Sequence, residues 1–338
     1  MTINFQKNIS LKPYNTLGIS VLAKHFVKVD NAEQLPQALN YATLHRLDVL
    51  VLGGGSNIVL TKDFQGLAIY LNNQGFQSET FGDEVLVTAT AGQNWHQFIL
   101  RCLAQGFYGL ENLALIPGNV GAAPIQNIGA YGVEIKDVFH SLTGWHRGKK
   151  QWQTLHKTQC EFAYRDSIFK TTLKDQFIIT EVSFMLSRKP NVVLTYKELV
   201  DYLKERNVID PTPYQLAESV ISIRSKKLPA PHVLPNAGSF FKNPVVDKSL
   251  FDQLAEKYPD IVYYTENSNF YKLAAGWLLE KAGWKGRENG LLSMHKKQAL
   301  VMVNRGATGE EVLNFAIEIQ ADIARKFSVK LEIEPRLY

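Results

Sequence analysis

Apolar and polar positions alternate along this chain in two different rhythms, and the rhythm changes about two thirds of the way through. Residues 31–46 (NAEQLPQALNYATLHR) place apolar side chains at helical spacing and lead into 48–52 (DVLVL), an apolar run that reads as a buried strand. Residues 67–70 and 84–90 read as further strands, and 94–104 as a helix with Asn94 as its cap and Gly106 at its end. Thr158 and Glu161 have the spacing of a capping box, which predicts a helix carrying Tyr164 and Arg165 on its early turns. Residues 176–186 (QFIITEVSFML) form a strand pattern, and 195–206 a helix with Thr195 and Glu198 as its capping box.

Asp210-Pro211-Thr212-Pro213 interrupts this alternation, and longer helices follow. The expected elements are helices over 213–225, capped by Thr212, and over 248–257 and 272–281. An apolar strand over 298–304, a capped helix over 308–327 and a strictly alternating strand over 329–334 close the chain. The expectation is three parts: a small α/β opening domain over residues 1–68, a second domain over 69–206, and a C-terminal α+β domain over 207–338. No internal repeat or low-complexity tract is visible.

A chain of 338 residues has material for two or three cores. Its 45% hydrophobic and 20% charged content is that of a globular protein in water. No apolar run approaches a membrane span, and MTINFQKNIS lacks the basic start and apolar stretch of a secretion signal, so a cytoplasmic protein is expected. Cys102 and Cys160 are the only cysteines, too few for a disulfide framework or a metal cluster, and read as small buried hydrophobes. The net charge of +5 suits a nucleic acid or an anionic small molecule. Lysines and arginines are scattered, with Arg224-Ser225-Lys226-Lys227 the tightest group, which argues against nucleic acid.

Candidate chemistry begins with glycine. Gly53-Gly54-Gly55-Ser56-Asn57 directly follows the 48–52 strand, an arrangement in which free backbone amides cradle phosphate. Residues 116–132 (IPGNVGAAPIQNIGAYG) carry no charge and offer glycines at 118, 121, 129 and 132. Such a stretch lets a ligand approach the main chain, although a buried turn-rich connector has the same composition. Neither loop has the spacing of a dinucleotide-binding βαβ unit or of a nucleotide triphosphatase phosphate loop. In the last strand Lys330, Glu332 and Glu334 share one face, ordinarily a solvated edge. Ser239 sits in a Gly-Ser turn, ordinarily no more than a turn, and Arg165 reads equally as a helix-surface residue.

With Pro13-Tyr14-Asn15-Thr16-Leu17-Gly18 ahead of them, the two glycine loops resemble the flavin-binding part of the UDP-N-acetylenolpyruvoylglucosamine reductases, bacterial cell-wall enzymes also called UDP-N-acetylmuramate dehydrogenases. The likeness runs over almost the whole chain. Tyr164-Arg165-Asp166-Ser167, residues 236–244 (NAGSFFKNP) and Leu331-Glu332-Ile333-Glu334 fall in the family's order. Arg336 also matches, while Pro335 replaces the aliphatic residue expected there.

The resemblance implies an α+β protein: a two-subdomain FAD-binding fold of the vanillyl-alcohol-oxidase (PCMH) type with a C-terminal α+β substrate domain. It implies FAD held by Gly53, Gly54, Gly55, Ser56, Asn57, Pro117, Gly118 and Gly121 around the diphosphate. Ile128, Gly129, Ala130 and Tyr131 would lie close to the ring, with Arg224 as a cationic contact. NADPH is the implied cosubstrate and a UDP-sugar enolpyruvyl ether the substrate. Ser239 would donate a proton beside the substrate carboxylate, and Arg165 and Glu334 would stabilise the dianion that hydride addition creates. Tyr196 matches a tyrosine that covers the substrate in one branch of the family, and Lys227, Asn243 and Gln298 match further substrate-side positions. A monomer without metal, nucleic-acid or membrane partner is expected. Two rivals remain on the sequence: a flavin oxidase of a small alcohol or sugar on the same fold, and a non-catalytic nucleotide-sugar or nucleic-acid binding protein.

Overall fold

The computed structural model describes residues 3–338. They gather into two units: residues 3–9, 23–54 and 65–226 form the first, and residues 10–22, 55–64 and 227–338 the second. The division differs from the expected one. Residues 207–226 go with the first unit, and two N-terminal segments join the C-terminal residues in the second.

The first unit has two cores. One lies on a four-stranded sheet whose neighbours run in the order Phe5–Ser10, Leu22–Val29, Phe64–Leu71, Val49–Leu52, the last pair parallel. Helix α1, Leu35–Leu44, buries Leu35, Ala38 and Leu39 with Val27, Val29, Leu67 and Ile69. The turn that precedes α1 is set by local chemistry. Asn31 accepts the Glu33 N–H at 3.0 Å, and Gln34 accepts the N–H groups of Asp30 and Asn31 at 3.0 and 3.1 Å.

The second core lies on a five-stranded antiparallel sheet in the order Gln151–His156, Phe139–His146, Phe177–Ser187, Glu84–Thr90, Phe76–Phe81. Alternation in Glu84–Thr90 buries Val85, Val87 and Ala89. Helix α2, Trp95–Ala104, is capped by Asn94, whose side chain accepts the Gln97 N–H at 3.0 Å. Its Trp95 and Phe98 rings meet Phe184 at 5.8 and 5.4 Å between centroids. Each such ring contributes about 1.5–3 kcal/mol of burial. Helices α3, Lys197–Lys204, and α4, Pro213–Lys227, add Leu199, Leu203, Leu216, Val220 and Ile223. Cys102 and Cys160 are buried here as expected, and burial pushes the Cys160 thiol up to about 12.

The second unit pairs Asn236–Ser239, Val301–Asn304, Leu292–Met294 and Glu288–Asn289 in that antiparallel order. A three-stranded sheet, Val245–Asp247, Phe270–Leu273 and Tyr263–Thr265, accompanies helices α5, Lys248–Lys257, and α6, Ala275–Lys281. Helix α7, Gly309–Phe327, begins in a capping box between Thr308 and Glu311. The N-terminal segments belong here through backbone pairing: Ile58–Val59 runs parallel to Arg336–Leu337, and Asn236 donates its N–H to the Thr16 carbonyl at 2.9 Å.

Several expected elements differ, the 298–304 strand among them, since it begins only at Val301. The 158–161 pattern closes only a single 3-10 turn, because Glu161 enters the left-handed region at φ 49° and ends it. Tyr164 and Arg165 therefore lie in a turn and not on a helix. Helix α3 starts two residues late, with Tyr196 as its cap and no side-chain cap bond, so Thr195 and Glu198 form no capping box. Helix α6 starts at Ala275, since Phe270–Leu273 is drawn into the three-stranded sheet. Residues 329–334 keep their alternation, with Val329 and Leu331 buried, but among the described residues they meet other strands through the bridge of Ile333 to Phe241 and flanking bonds.

Candidate active site

The glycine loops meet within the first unit. Strand Val49–Leu52 delivers Gly53 and Gly54 against the turn at 118–121. A Cβ on Gly54 would lie 2.9 Å from Gly118 Cα, and one on Gly121 would collide with Ala91. Only glycine permits these main chains to come so close. Residues 53–57 remain partly accessible. In the second unit the same loop continues with Gly55, whose carbonyl accepts the Thr16 N–H at 3.0 Å, and Asn57, whose carbonyl accepts the Arg336 N–H at 3.0 Å.

Tyr131 is carried by a two-residue hairpin. Gly129–Ala130 pairs with Val133–Glu134, and Tyr131 and Gly132 between them have φ of 50° and 85°, the mirror-image turn that matches strand twist. The Asn112 amide, itself buried, donates to the carbonyls of Tyr131 at 2.9 Å and Val193 at 3.0 Å. That tie brings the segment before α3 alongside, and the rings of Tyr131 and Tyr196 meet edge to face at 5.2 Å.

Two arginines approach this hairpin. Arg165 donates from Nη2 to the Gly129 carbonyl at 2.8 Å. Arg224, on α4, donates from Nε to the Leu115 carbonyl at 3.3 Å. Burial lowers the Arg224 pKa, with the Arg165 charge acting in the same direction and Tyr131 opposing it. Leu115 is held in the left-handed region, φ 59°, by that bond and by its N–H to His96 Nδ1 at 3.2 Å. Burial, then the Arg224 charge, lowers the His96 pKa. The cluster is thus positively charged and suits an anionic ligand.

In the second unit Ser239 is held from both sides. Gly238, at φ 71°, donates its N–H to Asn236 Oδ1 at 2.9 Å, and Ser239 pairs with Val301. Phe240 then donates to the Leu300 carbonyl at 2.8 Å and accepts the Glu334 N–H at 3.0 Å. Phe240 and Phe241 are buried and anchor the segment. Lys330 and Glu332 are exposed and Glu332 pairs with Lys242, whereas Glu334 is half-buried. That contrast distinguishes Glu334 from the solvated-edge reading. Asn243 Oδ1 accepts the Ala275 N–H at 2.9 Å at the start of α6, and Gln298 accepts the Val301 N–H at 3.1 Å through its carbonyl. Lys227 is the exposed last residue of α4.

Residues 229–338 match the family model described as UDP-N-acetylenolpyruvoylglucosamine reductase, C-terminal domain, and residues 23–146 match that of an FAD binding domain. The UDP-N-acetylenolpyruvoylglucosamine reductase of Pseudomonas savastanoi pv. phaseolicola is 46% identical over 341 residues, 100% of both chains. The chain belongs to the UDP-N-acetylenolpyruvoylglucosamine reductase family. The reductase of Pseudomonas aeruginosa is 45% identical over 340 residues, again 100% of both chains. Among solved structures, that of the Thermus caldophilus reductase (MurB) shares the fold with a TM-score of 0.69 at 23% identity, covering 100% of this chain and 99% of that one.

The bare main chain at 53–54 and 118–121 and the cationic cluster fit FAD, the cofactor that the 23–146 match names. The family assignment also accounts for the absence of a dinucleotide-binding βαβ unit. Sequence reasoning missed three residues that shape the reductase's first unit: His96, Asn112 and Asn127. Asn127 is fully buried in the left-handed region, φ 44°, and donates to Glu134 at 2.9 Å and the Ala163 carbonyl at 3.1 Å. A polar residue inside an apolar, glycine-rich run was the available signal for it.

Proposed function

We propose that this chain catalyses the NADPH-dependent reduction of UDP-N-acetylglucosamine enolpyruvate to UDP-N-acetylmuramate, a cytoplasmic step of peptidoglycan precursor synthesis. The observation that carries the reading is full-length identity of 46% to a reductase named for this substrate. The candidate residues for its chemistry are all present.

Bound FAD would supply the two-electron chemistry that links NADPH oxidation to reduction of the enolpyruvyl double bond. The residues that would hold it are Gly53 to Asn57, Gly118, Gly121 and Ile128 to Tyr131. Ser239 delivers the proton: its O–H bond breaks as a C–H bond forms at the carbon bearing the carboxylate, and solvent restores the hydroxyl. A neutral serine is a weak acid, so the negative charge that develops around the transfer must be stabilised to lower its barrier. Arg165 serves this end, its planar guanidinium matching a carboxylate. Glu334 is assigned to the same acceptor group, and Tyr196, Lys227, Asn243 and Gln298 to the sugar nucleotide.

The test is anaerobic mixing with NADPH and then with the enolpyruvyl substrate. Flavin absorbance should vanish in the first step and return in the second. Absorbance that stays bleached on adding substrate would reject the assignment. Rapid oxygen consumption with a small alcohol would favour an oxidase instead.

A further inference from the structure

Arg165 occupies a conformation that its own chemistry does not favour. It lies in a turn closed by the Ala163 N–H to the Asp166 carbonyl at 3.1 Å and by the reverse bond at 3.3 Å, with φ of 52°. A long L side chain takes the left-handed region only when its surroundings impose it. The Lys170 ammonium donates to the main-chain carbonyl of Arg165 at 2.9 Å. Lys170 is itself well placed to do so. It ends the 3-10 turn Ile168–Lys170, capped by Ser167, and the neighbouring Phe169 is buried. Ser167, also buried, donates to the Ile125 carbonyl at 2.6 Å, which fastens the turn to the glycine-rich loop.

We propose that Lys170 is a positioning residue for Arg165, an inference that rests on the reading of Arg165 as the group that stabilises the reacting carboxylate. The arginine is tied at two ends. Its guanidinium reaches the Gly129 carbonyl, and its peptide carbonyl is fixed by a charged donor, whose hydrogen bond is roughly twice as strong as a neutral one. Without the ammonium the peptide relaxes toward a commoner backbone conformation. The guanidinium then loses its aim at the charge that develops during reaction, where a displacement of about 1 Å costs up to about 100-fold. The effect falls on rate more than on binding, because the acceptor carries more negative charge in the transition state than in the ground state.

The experiment compares the Lys170→Met, Lys170→Arg and Arg165→Lys variants of the FAD-loaded enzyme. For Lys170→Met we expect reduction by NADPH within about twofold of wild type and reoxidation by the enolpyruvyl substrate slowed about 10- to 100-fold. Calorimetric affinity for UDP-N-acetylmuramate should fall by less than about threefold, and the melting temperature should hold. Lys170→Arg, which keeps a charged donor, should recover most of the reoxidation rate. The proposal is overturned if Lys170→Met reoxidises at the wild-type rate while Arg165→Lys is slow. It is equally overturned if rate, affinity and melting temperature fall together and arginine restores none of them. If Arg165→Lys reoxidises normally, the underlying role of Arg165 is rejected and the role of Lys170 with it.

Discussion

Glu334 donates its main-chain N–H to the carbonyl of Phe240 at 3.0 Å, and Phe240 directly follows Ser239. Ser239 and Glu334 therefore sit on neighbouring extended segments of the second unit, joined by a backbone hydrogen bond. A side-chain substitution at either position leaves that bond in place. Loss of function from such a substitution reports on chemistry.

Ser239→Ala should accordingly leave flavin reduction by NADPH nearly intact while slowing reoxidation by substrate by about 10²–10⁴-fold, the usual worth of a positioned proton donor. Stopped-flow absorbance resolves the two halves. Equal loss in both would show that the hydroxyl serves binding of the flavin and not proton delivery.

Gly54→Ala forces a Cβ to within 2.9 Å of Gly118 Cα, and Gly121→Ala drives one into Ala91. The first separates the two glycine loops and the second pushes the 118–121 turn off residue 91, each at a cost of about 1–3 kcal/mol, typical of overpacking. The purified variants should carry less flavin per chain than wild type and melt lower. Gly82→Ala is the contrast: its φ of 63° gives strain, but no atom lies within 4 Å of the added Cβ. It should lower the melting temperature without depleting flavin.

How much could be read in advance depends on whether the deciding contacts were local. Strand Glu84–Thr90 and helices α2, α5 and α7 follow from alternation, spacing and caps, all within a few residues. The glycine loops stood out as uncharged, glycine-bearing runs, a composition that a buried connector shares, and their close approach at Gly54 and Gly118 became visible only in the fold. Arg165 was misplaced on a helix because a capping-box pattern reports only the first turn, and the left-handed Glu161 that stops it carries no composition signal. The grouping of segments 10–22 and 55–64 with residues 227–338 was not legible in advance, because their partners, such as Asn236 and Arg336, lie at the far end of the chain. Asn127 and Asn112 escaped notice since a single asparagine reads as a turn until its burial is known.

Asp322 gives a pH prediction. Its buried carboxylate accepts from Trp284 Nε1 at 2.8 Å and Lys326 Nζ at 2.8 Å, and pairs with Arg325. Burial pushes its pKa up, but the bonds from Lys326, Trp284 and Arg325 outweigh this and hold it below the ordinary value. A carboxyl with a depressed folded-state pKa contributes stability that is complete above the unfolded value, about 3.9, and is lost as pH falls through the folded one. Urea melts should show wild type more stable than Asp322→Asn by a constant margin from about pH 7 to about pH 5, shrinking below about pH 4. A margin independent of pH would mean that the carboxylate's charge is irrelevant.

Asn127 offers the sharpest separation of structure from charge. Its amide donates to Glu134 and to the Ala163 carbonyl, and its Oδ1 accepts the Lys136 N–H at 3.1 Å, so one buried side chain joins the glycine-rich loop to the Arg165 turn. Asn127→Ala deletes all three bonds and leaves alanine in the left-handed region, which should cost about 2–4 kcal/mol at any pH. Asn127→Asp keeps the acceptor for Lys136 but loses both donations and sets a second carboxylate against Glu134. Burial and that like charge raise the new carboxyl's pKa, so its folded form binds a proton more readily than its unfolded form. Stability of this variant must then rise as pH falls, and the protonated carboxyl regains one donation. Melting curves between about pH 8 and about pH 5 should show Asn127→Asp closing on wild type while Asn127→Ala stays a fixed distance below it. Parallel curves for the two variants would show that the Glu134 contact has no electrostatic part in holding the Arg165 turn.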